Sequence, residues 1–417
     1  MATERALHFL GTMPQFDTAT AALTWQLDAL GGRLRRLSSG ETGPRLLWFV
    51  PMIKELKAEP TIRALRDGDW TDYDDVDRLA VRRGAKLTPA DIPLRIAQYA
   101  REDLASLGQD QPLPLLVGVP GYLDMALFIF GPLGVLRHAR AFLTAVTGQI
   151  DTIQREAGDR VVFQLEVPAA LIAVASAPPP LRPLLAEFMA HLVTRPVARA
   201  AHGTRFGVHL CLGDLGHHAL TQLKDASPLV ILANAIARRW PEGRPLEYLH
   251  LPMSGGDVPP PADPVFYAPL RRLRLPRDVE LIAGIAHEEQ DPQTQLTVRD
   301  SSNRHSADRS TSPPHAASAA APQKQPPRPS PPCKPYSPKN PNFLHDQDAQ
   351  CRPDDAGAWS RGRRRPLCGS FATRHPHPER HQAVPVVRLG ARLARRTGRP
   401  PVRPGAPAGR DRPRWAR

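Results

Sequence analysis

The residues of this chain best suited to chemistry are a histidine and a cysteine two positions apart, His209 and Cys211, within Val208-His209-Leu210-Cys211-Leu212-Gly213-Asp214. On a strand, residues i and i+2 face the same side, so this spacing would set an imidazole beside a thiol, two donor types that suit zinc. Catalytic zinc takes three protein ligands and keeps one position open; His250, in Tyr248-Leu249-His250-Leu251-Pro252, is the third candidate. A buried cysteine with a hydrogen-bonded histidine nearby explains the same spacing without a metal.

Two carboxylates join this set. Glu166, in Phe163-Gln164-Leu165-Glu166-Val167-Pro168, could bind an amine or act as an acid or base, or could simply pair with an arginine at a strand end. Glu41, between glycines in Ser39-Gly40-Glu41-Thr42-Gly43, is either a substrate carboxylate in a tight loop or a turn residue. An early segment, Gly11-Thr12-Met13-Pro14-Gln15, offers the polar side chains Thr12 and Gln15. His217 and His218 read as surface histidines, and His287 either faces the site or makes a structural hydrogen bond.

Elements able to position these groups follow from periodicity. Strands are expected at Leu7–Met13, Arg33–Ser38, Leu115–Val119, Val161–Val167, Gly207–Leu212, Leu246–Leu251 and Glu280–Ala286. Helical spacing of apolar residues marks Ile92–Leu107, Leu136–Ala157, Leu181–Val193 and Pro228–Trp240. Strand and helix in alternation argue for a parallel sheet covered by helices. A G-x-G-x-x-G phosphate fingerprint follows none of the strands, which favours a (β/α)8 TIM-type barrel over an open nucleotide-binding sheet. Seven strands are visible and the eighth is missing. In such a barrel the polar residues above all fall at strand C-terminal ends, where active sites sit.

The formal charge of +14 is unevenly spread: residues 1–300 hold 32 Lys+Arg against 34 Asp+Glu, and residues 301–417 hold 23 against 7. The first part therefore has no bulk attraction to nucleic acid or membrane. The second part carries 21 of the 48 prolines and little aliphatic periodicity, the composition of a disordered Pro/Arg-rich tail. Met1–Leu7 shows no secretory leader pattern, and the apolar run Met125–Leu136, interrupted by Gly131-Pro132, is too short to span a bilayer. Cys211 is alone among residues 1–300, which fits a reducing, cytoplasmic setting.

Taken together, the motifs over roughly residues 5–300 resemble the C-terminal barrel of cobalamin-independent methionine synthase, in the uroporphyrinogen decarboxylase and methionine synthase-like superfamily. Gly11-Thr12-Met13-Pro14-Gln15 is similar to the family's Gly-Ser-Phe-Pro-Gln, Gln164-Leu165-Glu166-Val167-Pro168 to its Gln-Ile-Asp-Glu-Pro, and His209-Leu210-Cys211 to its zinc-binding His-x-Cys. The resemblance implies zinc-dependent alkyl (methyl) transfer from a donor to a small thiol. In it His209, Cys211 and His250 hold the metal, Thr12, Gln15 and Glu166 bind substrate, Glu41 lines the pocket, and Glu41 and Glu166 are the catalytic candidates.

The departures are specific. The family's third ligand is a glutamate, where this chain offers His250; Glu247, three residues earlier, is expected to face the other way. The family's large N-terminal barrel is absent, and so is its last ligand, a cysteine in Cys-Gly-Leu. Joining the last base of each codon to the first two of the next across Arg309–Ala321 can yield Val-Asp-Phe-Ala-Ala-Pro-Cys-Gly-Leu-Gly-Arg-Arg, an apolar strand ending in that cysteine. The tail is accordingly read as a frameshifted or misread junction, the zinc site as incomplete and the activity as impaired. Two other readings remain. In one, the basic tail tethers the barrel to nucleic acid, against which stands its lack of interleaved aromatics. In the other, the barrel is a metal-free decarboxylase, for which the His-x-Cys pair has no use.

Overall fold

A computed structural model describes residues 6–306 of this chain. The chain opens with α1 (Ala19–Leu30), whose first turn is capped by Thr18 accepting from the Ala21 N–H at 3.2 Å. A short strand, β1 (Leu37–Ser38), leads to α2 (Phe49–Ala58) and then to an antiparallel hairpin, β2 (Ile62–Arg66) and β3 (Arg78–Val81). From there strands and helices alternate: α3 (Ile96–Leu107), β4 (Leu115–Pro120), α4 (Tyr122–Ala157), β5 (Val161–Glu166), α5 (Pro168–Ser176), α6 (Arg182–Val193), α7 (Arg195–Arg199), β6 (Phe206–His209), α8 (Ser227–Arg238), β7 (Leu246–Pro252), β8 (Glu280–Gly284) and α9 (Pro292–Ser306).

The main sheet has six strands in the order β1-β4-β5-β6-β7-β8, every neighbouring pair parallel. Its central strands are apolar on both faces, Leu115-Leu116-Val117 and Val161-Val162-Phe163 being buried throughout, as a sheet covered by helices requires. Leu7 adds a single parallel bridge to Leu34 at the β1 edge. The sheet is strongly curled, since Arg35 and Arg36 beside β1 reach Glu280 of β8, at 3.3 and 3.2 Å. Arg36 also pairs with Glu247 at 2.8 Å, and Arg205 pairs with the same carboxylate. These charges sit at the N-terminal ends of the strands and draw the two sheet edges together.

Inside the curl, side chains stack in layers. Leu116, Val162, Tyr248 and the partly buried Ile282 form an apolar cluster of their own, separate from the larger core under the helices. Gly118, Gln164, Gly207 and Tyr248 are register partners on consecutive strands, Tyr248 joining this row to the apolar cluster, and above them come Pro120, Glu166, His209 and His250. The β6–β7 register slips at Phe206/Gly207, so Glu247 is the extra residue of a bulge and is free to turn toward Arg36 and Arg205.

The sequence-based expectations need several adjustments. The described residues give a partial barrel, a curled six-stranded parallel sheet plus one bridge in place of the seven expected strands, with β8 half-buried along its whole length, as suits an edge strand. Leu7–Met13 is not a strand beyond Leu7, because Met13 N–H and Glu41 N–H instead tie two loops together, donating to the Glu41 and Gly11 carbonyls. Gly207–Leu212 and Glu280–Ala286 end early, at His209 and Gly284. Leu136–Ala157 is the second half of α4, which breaks at Gly131 (φ 71°) before Pro132. Although α4 is long and apolar enough to cross a membrane by length and composition, Phe142, Leu143, Val146, Ile150 and Ile153 pack into the core. Helix α9 runs across residue 300, the expected break, and packs on the 3-10 segment Pro264–Arg272. The reconstructed strand at Arg309–Ala321 and nearly all of the tail lie outside the described residues.

Candidate active site

Glu166, His209 and His250 are Cα partners in one row across β5, β6 and β7, at the C-terminal ends of the strands. The row brings the two imidazoles into contact, Nδ1 to Nδ1 at 2.7 Å, with ring centroids 4.7 Å apart. Burial pushes His209 down to about 3, helped by His8, and pushes His250 well below its ordinary value, helped by His209 and His8. Both rings are therefore neutral at physiological pH. One Nδ1–H donates to the bare Nδ1 of the other. A side chain at Gly284 on β8 would come within 2.6 Å of the His250 Nε2, so the glycine gives this ring its place.

Cys211 lies two residues beyond the end of β6, and the same-face argument for i and i+2 does not extend to it. Its Sγ accepts from the Gly213 N–H at 3.2 Å, where Gly213 (φ 83°) turns the chain. Burial, opposed by that N–H and reinforced by Glu166, raises the thiol to about 12, so it stays protonated in the structure as it stands. His209, Cys211 and His250 do not form a group with all ligand atoms within 4.8 Å; among the described residues that property belongs to His217, His287 and Glu288.

The donors nonetheless fit zinc in kind: two neutral imidazoles and a thiol at one strand end. Their spacing is that of a hydrogen-bonded pair. Tetrahedral zinc with Zn–N near 2.05 Å sets its ligand nitrogens about 3.3 Å apart, so the rings would have to separate by roughly half an ångström for both to bind through Nδ1.

Glu166 is pushed up to about 8, first by burial, then by the charge of Glu41, with the Gln164 amide opposing and Asp124 adding. Asp124, in the first turn of α4, is itself pushed up to about 7 by burial, although the Ala169 N–H donates to it at 2.5 Å. Glu41 is raised mainly by burial and is held by the Leu47 N–H at 2.9 Å; Leu47 takes the left-handed conformation (φ 48°). Gly40 (φ 64°) precedes it, and a Cβ there would collide with the Gly11 carbonyl. Glu166 and Asp124 are thus carboxyls that can hold a proton near neutral pH, the condition for general acid work, with Glu41 shifted in the same direction. A cleft opens beside Glu41 and Glu166, with Ser39, Arg45, Tyr99 and Asp103 on its walls.

Below the row, Gln164 organises the interior. Its Oε1 accepts from the Tyr248 hydroxyl at 2.8 Å, its Nε2 donates to the Leu10 carbonyl at 2.8 Å, and His8 Nε2 lies 3.4 Å away. Tyr248 occupies the space over Gly207, where any side chain would strike its ring. Residue type and spacing alone give His8, Asp124, Gln164 and Tyr248 no role, although Gln164 and Tyr248 do show the i, i+2 alternation with Glu166 and His250.

Thr12 and Gln15 are exposed and do not line the cleft, whereas Glu41 and Glu166 do. Glu247 faces away from His250, toward Arg36 and Arg205. His217 and His218 are exposed; His287 is buried, with Nε2 at 2.9 Å from the Gly256 carbonyl.

No protein-family model matches this chain, and no curated protein matches it. Among solved structures, it is similar to a putative vitamin-B12 independent methionine synthase from Listeria monocytogenes, at 12% identity and a TM-score of 0.41, covering 69% of this chain and 76% of that one. A B12-independent methionine synthase from Shewanella sp. W3-18-1, in complex with selenomethionine, gives 13% identity and 0.38 over 69% and 76%. A methyltransferase from Methanosarcina mazei gives 12% and 0.33 over 69% and 84%. These values describe a distant likeness and set no family.

Proposed function

We propose that this chain is a group-transfer protein that moves an alkyl group, a methyl group in the simplest case, from a donor onto the sulfur of a small thiol. The observation that carries the reading is the row Glu166, His209 and His250 at the C-terminal ends of parallel strands, with both imidazoles neutral and Cys211 two residues beyond. His209, His250 and Cys211 would hold zinc, which when bound supplies a Lewis acid that lowers a thiol's pKa. Glu166 keeps a proton near neutral pH and can hand it on or bind an amine of the substrate, and Glu41 sets how tightly that proton is held. The Gln164–Tyr248 layer underneath fixes the orientation of both walls. With three donors in place of the four the resemblance implies, zinc affinity is reduced and turnover by the chain as written is low.

The test uses the full-length protein loaded with Co2+ and titrated with 2-mercaptoethanol. A thiolate-to-cobalt charge-transfer band that grows with thiol, vanishes in His209→Ala and survives in His217→Ala supports the proposal. A band indifferent to His209→Ala, or no response to thiol at all, removes it. Tight stoichiometric zinc with rapid alkyl transfer would overturn the impairment while leaving the reaction class standing.

A further inference from the structure

On the rim above the strand ends, three loops meet at a group of side chains that the alkyl-transfer reading does not use. His217 stands on the loop after β6, Gly256 on the loop after β7, and His287 and Glu288 on the loop after β8. His217 is wedged between carboxylates: Nδ1 is 3.4 Å from Asp214 Oδ1 and Nε2 is 2.8 Å from Glu288 Oε1. Without a metal, the 2.8 Å contact is short enough for Nε2–H to donate to Glu288; binding a cation through Nε2 would leave the ring proton on Nδ1, beside Asp214. The neighbouring ring completes the arrangement. His287 Nε2–H donates to the Gly256 carbonyl at 2.9 Å, which leaves Nδ1 as the bare nitrogen, 3.8 Å from Glu288 Oε2. The rings of His217 and His287 are roughly parallel, with centroids 6.4 Å apart.

We propose that His217, His287 and Glu288 form a divalent-cation site, separate from the His209/His250 pair, that clamps the loop after β6 to the loop after β8. Their ligand atoms all lie within 4.8 Å of one another. Two imidazoles and one carboxylate suit zinc and its late first-row neighbours rather than calcium or magnesium. Asp214 and the Gly256 carbonyl hold the far nitrogens of the two rings, the outer partners that fix ring orientation and tautomer in histidine metal sites. The cation would replace one weak bond, the Glu289 N–H to His287 Nδ1 contact at 3.1 Å. His217 holds a left-handed backbone (φ 63°), unusual for a residue other than glycine, and the Asp257 N–H bonds to its carbonyl at 2.8 Å. The loop thus presents this ring in a fixed place. The clamp would stiffen the segment that carries Cys211 and Asp214.

The experiment measures Zn2+ binding to the full-length protein by equilibrium dialysis, with His209→Ala, His217→Ala, Glu288→Gln and Asp214→Asn alongside the parent. The expected result is a zinc equivalent that His209→Ala retains and His217→Ala loses, with roughly tenfold weaker binding in Asp214→Asn, the range for removing an outer partner. Zinc should also raise the thermal midpoint of His209→Ala and leave that of His209→Ala/His217→Ala unchanged. His217 is exposed, so its substitution does not threaten folding, and circular dichroism of each variant checks this directly. Equal zinc binding by the parent and His217→Ala, or no zinc bound by His209→Ala, overturns the site whatever becomes of the alkyl-transfer reading.

Discussion

Replacing Glu166 with glutamine should make the protein more stable, and increasingly so as the pH rises. The folded state holds the Glu166 carboxyl at about 8 against an ordinary 4.5, mainly because burial disfavours the anion and Glu41 adds repulsion. Between those two values the folded chain keeps a proton that the unfolded chain has released, so stability falls as pH increases through that window. At 1.36 kcal/mol per pH unit, the penalty is under about 1 kcal/mol at pH 5, about 3 kcal/mol at pH 7 and on the order of 4–5 kcal/mol above pH 8. Glu166→Gln keeps the shape, retains an oxygen for the Gln164 amide at 3.4 Å and removes the charge. Urea unfolding at pH 5, 7 and 8, followed by tryptophan fluorescence, should show near-equal stabilities at pH 5 and a gap of about 3 kcal/mol in favour of the variant at pH 7. The gap should widen further at pH 8, and the variant should lose the proposed transfer. A gap that does not grow with pH, or a variant less stable than the parent at pH 8, would refute the claim that the fold stores cost in this carboxyl. Such a cost is expected of a functional group rather than a packing one.

Three other perturbations probe the scaffold around it. Arg36→Met should destabilise by about 1–3 kcal/mol in denaturant unfolding, because it strips the shared cation from Glu247 and Glu280 at the floor of the curl and leaves each partly buried carboxylate with one other arginine, Arg205 and Arg35. Tyr248→Phe removes the hydroxyl that Gln164 Oε1 accepts at 2.8 Å in a fully buried layer and should cost about 1–3 kcal/mol, with a matching drop in melting temperature. Gly284→Ala drives a methyl against His250 Nε2 and should cost about 1–3 kcal/mol; it should also abolish the downfield proton resonance of the His209–His250 hydrogen bond.

The central strands were legible because their burial is two-sided: Leu115-Leu116-Val117, Val161-Val162-Phe163 and Tyr248-Leu249-His250-Leu251 are runs that water would not tolerate elsewhere. The convergence of His209 and His250 followed from the same strand ends. The expected first strand overextends because Leu10 and Met13 are apolar for a different reason: they lie in a loop that bonds to Glu41 and to Gln164. The hairpin β2–β3 was invisible because Arg63, Arg66 and Arg78 break its apolar alternation, and Arg78 donates to the Leu127 and Phe128 carbonyls of distant α4. Cys211 escaped the strand geometry because β6 stops at His209 and the chain turns at Gly213. Asp124 gave no signal, since what makes it notable is the Ala169 N–H forty-five residues away.

The two ends of the curled sheet are held differently, and this bears on where function can sit. At the N-terminal ends, Arg35 and Arg36 join the β1 edge to Glu280 of β8, so the floor is closed by charge without a ladder of backbone bonds. At the C-terminal ends, the described residues pair no strand with the outer edge of β8, and Ile282, Ala283 and Gly284 are all half-buried. His250 stands one strand in from that edge, against Gly284, and the row of Glu166, His209 and His250 therefore runs from the well-covered centre of the sheet to its least supported margin. A site placed there depends on its loops for stiffness. The cation proposed at His217, His287 and Glu288 would supply it across the top, as Arg36 does across the bottom, which is why zinc occupancy of the rim and rigidity of the His209/His250 pair should rise and fall together.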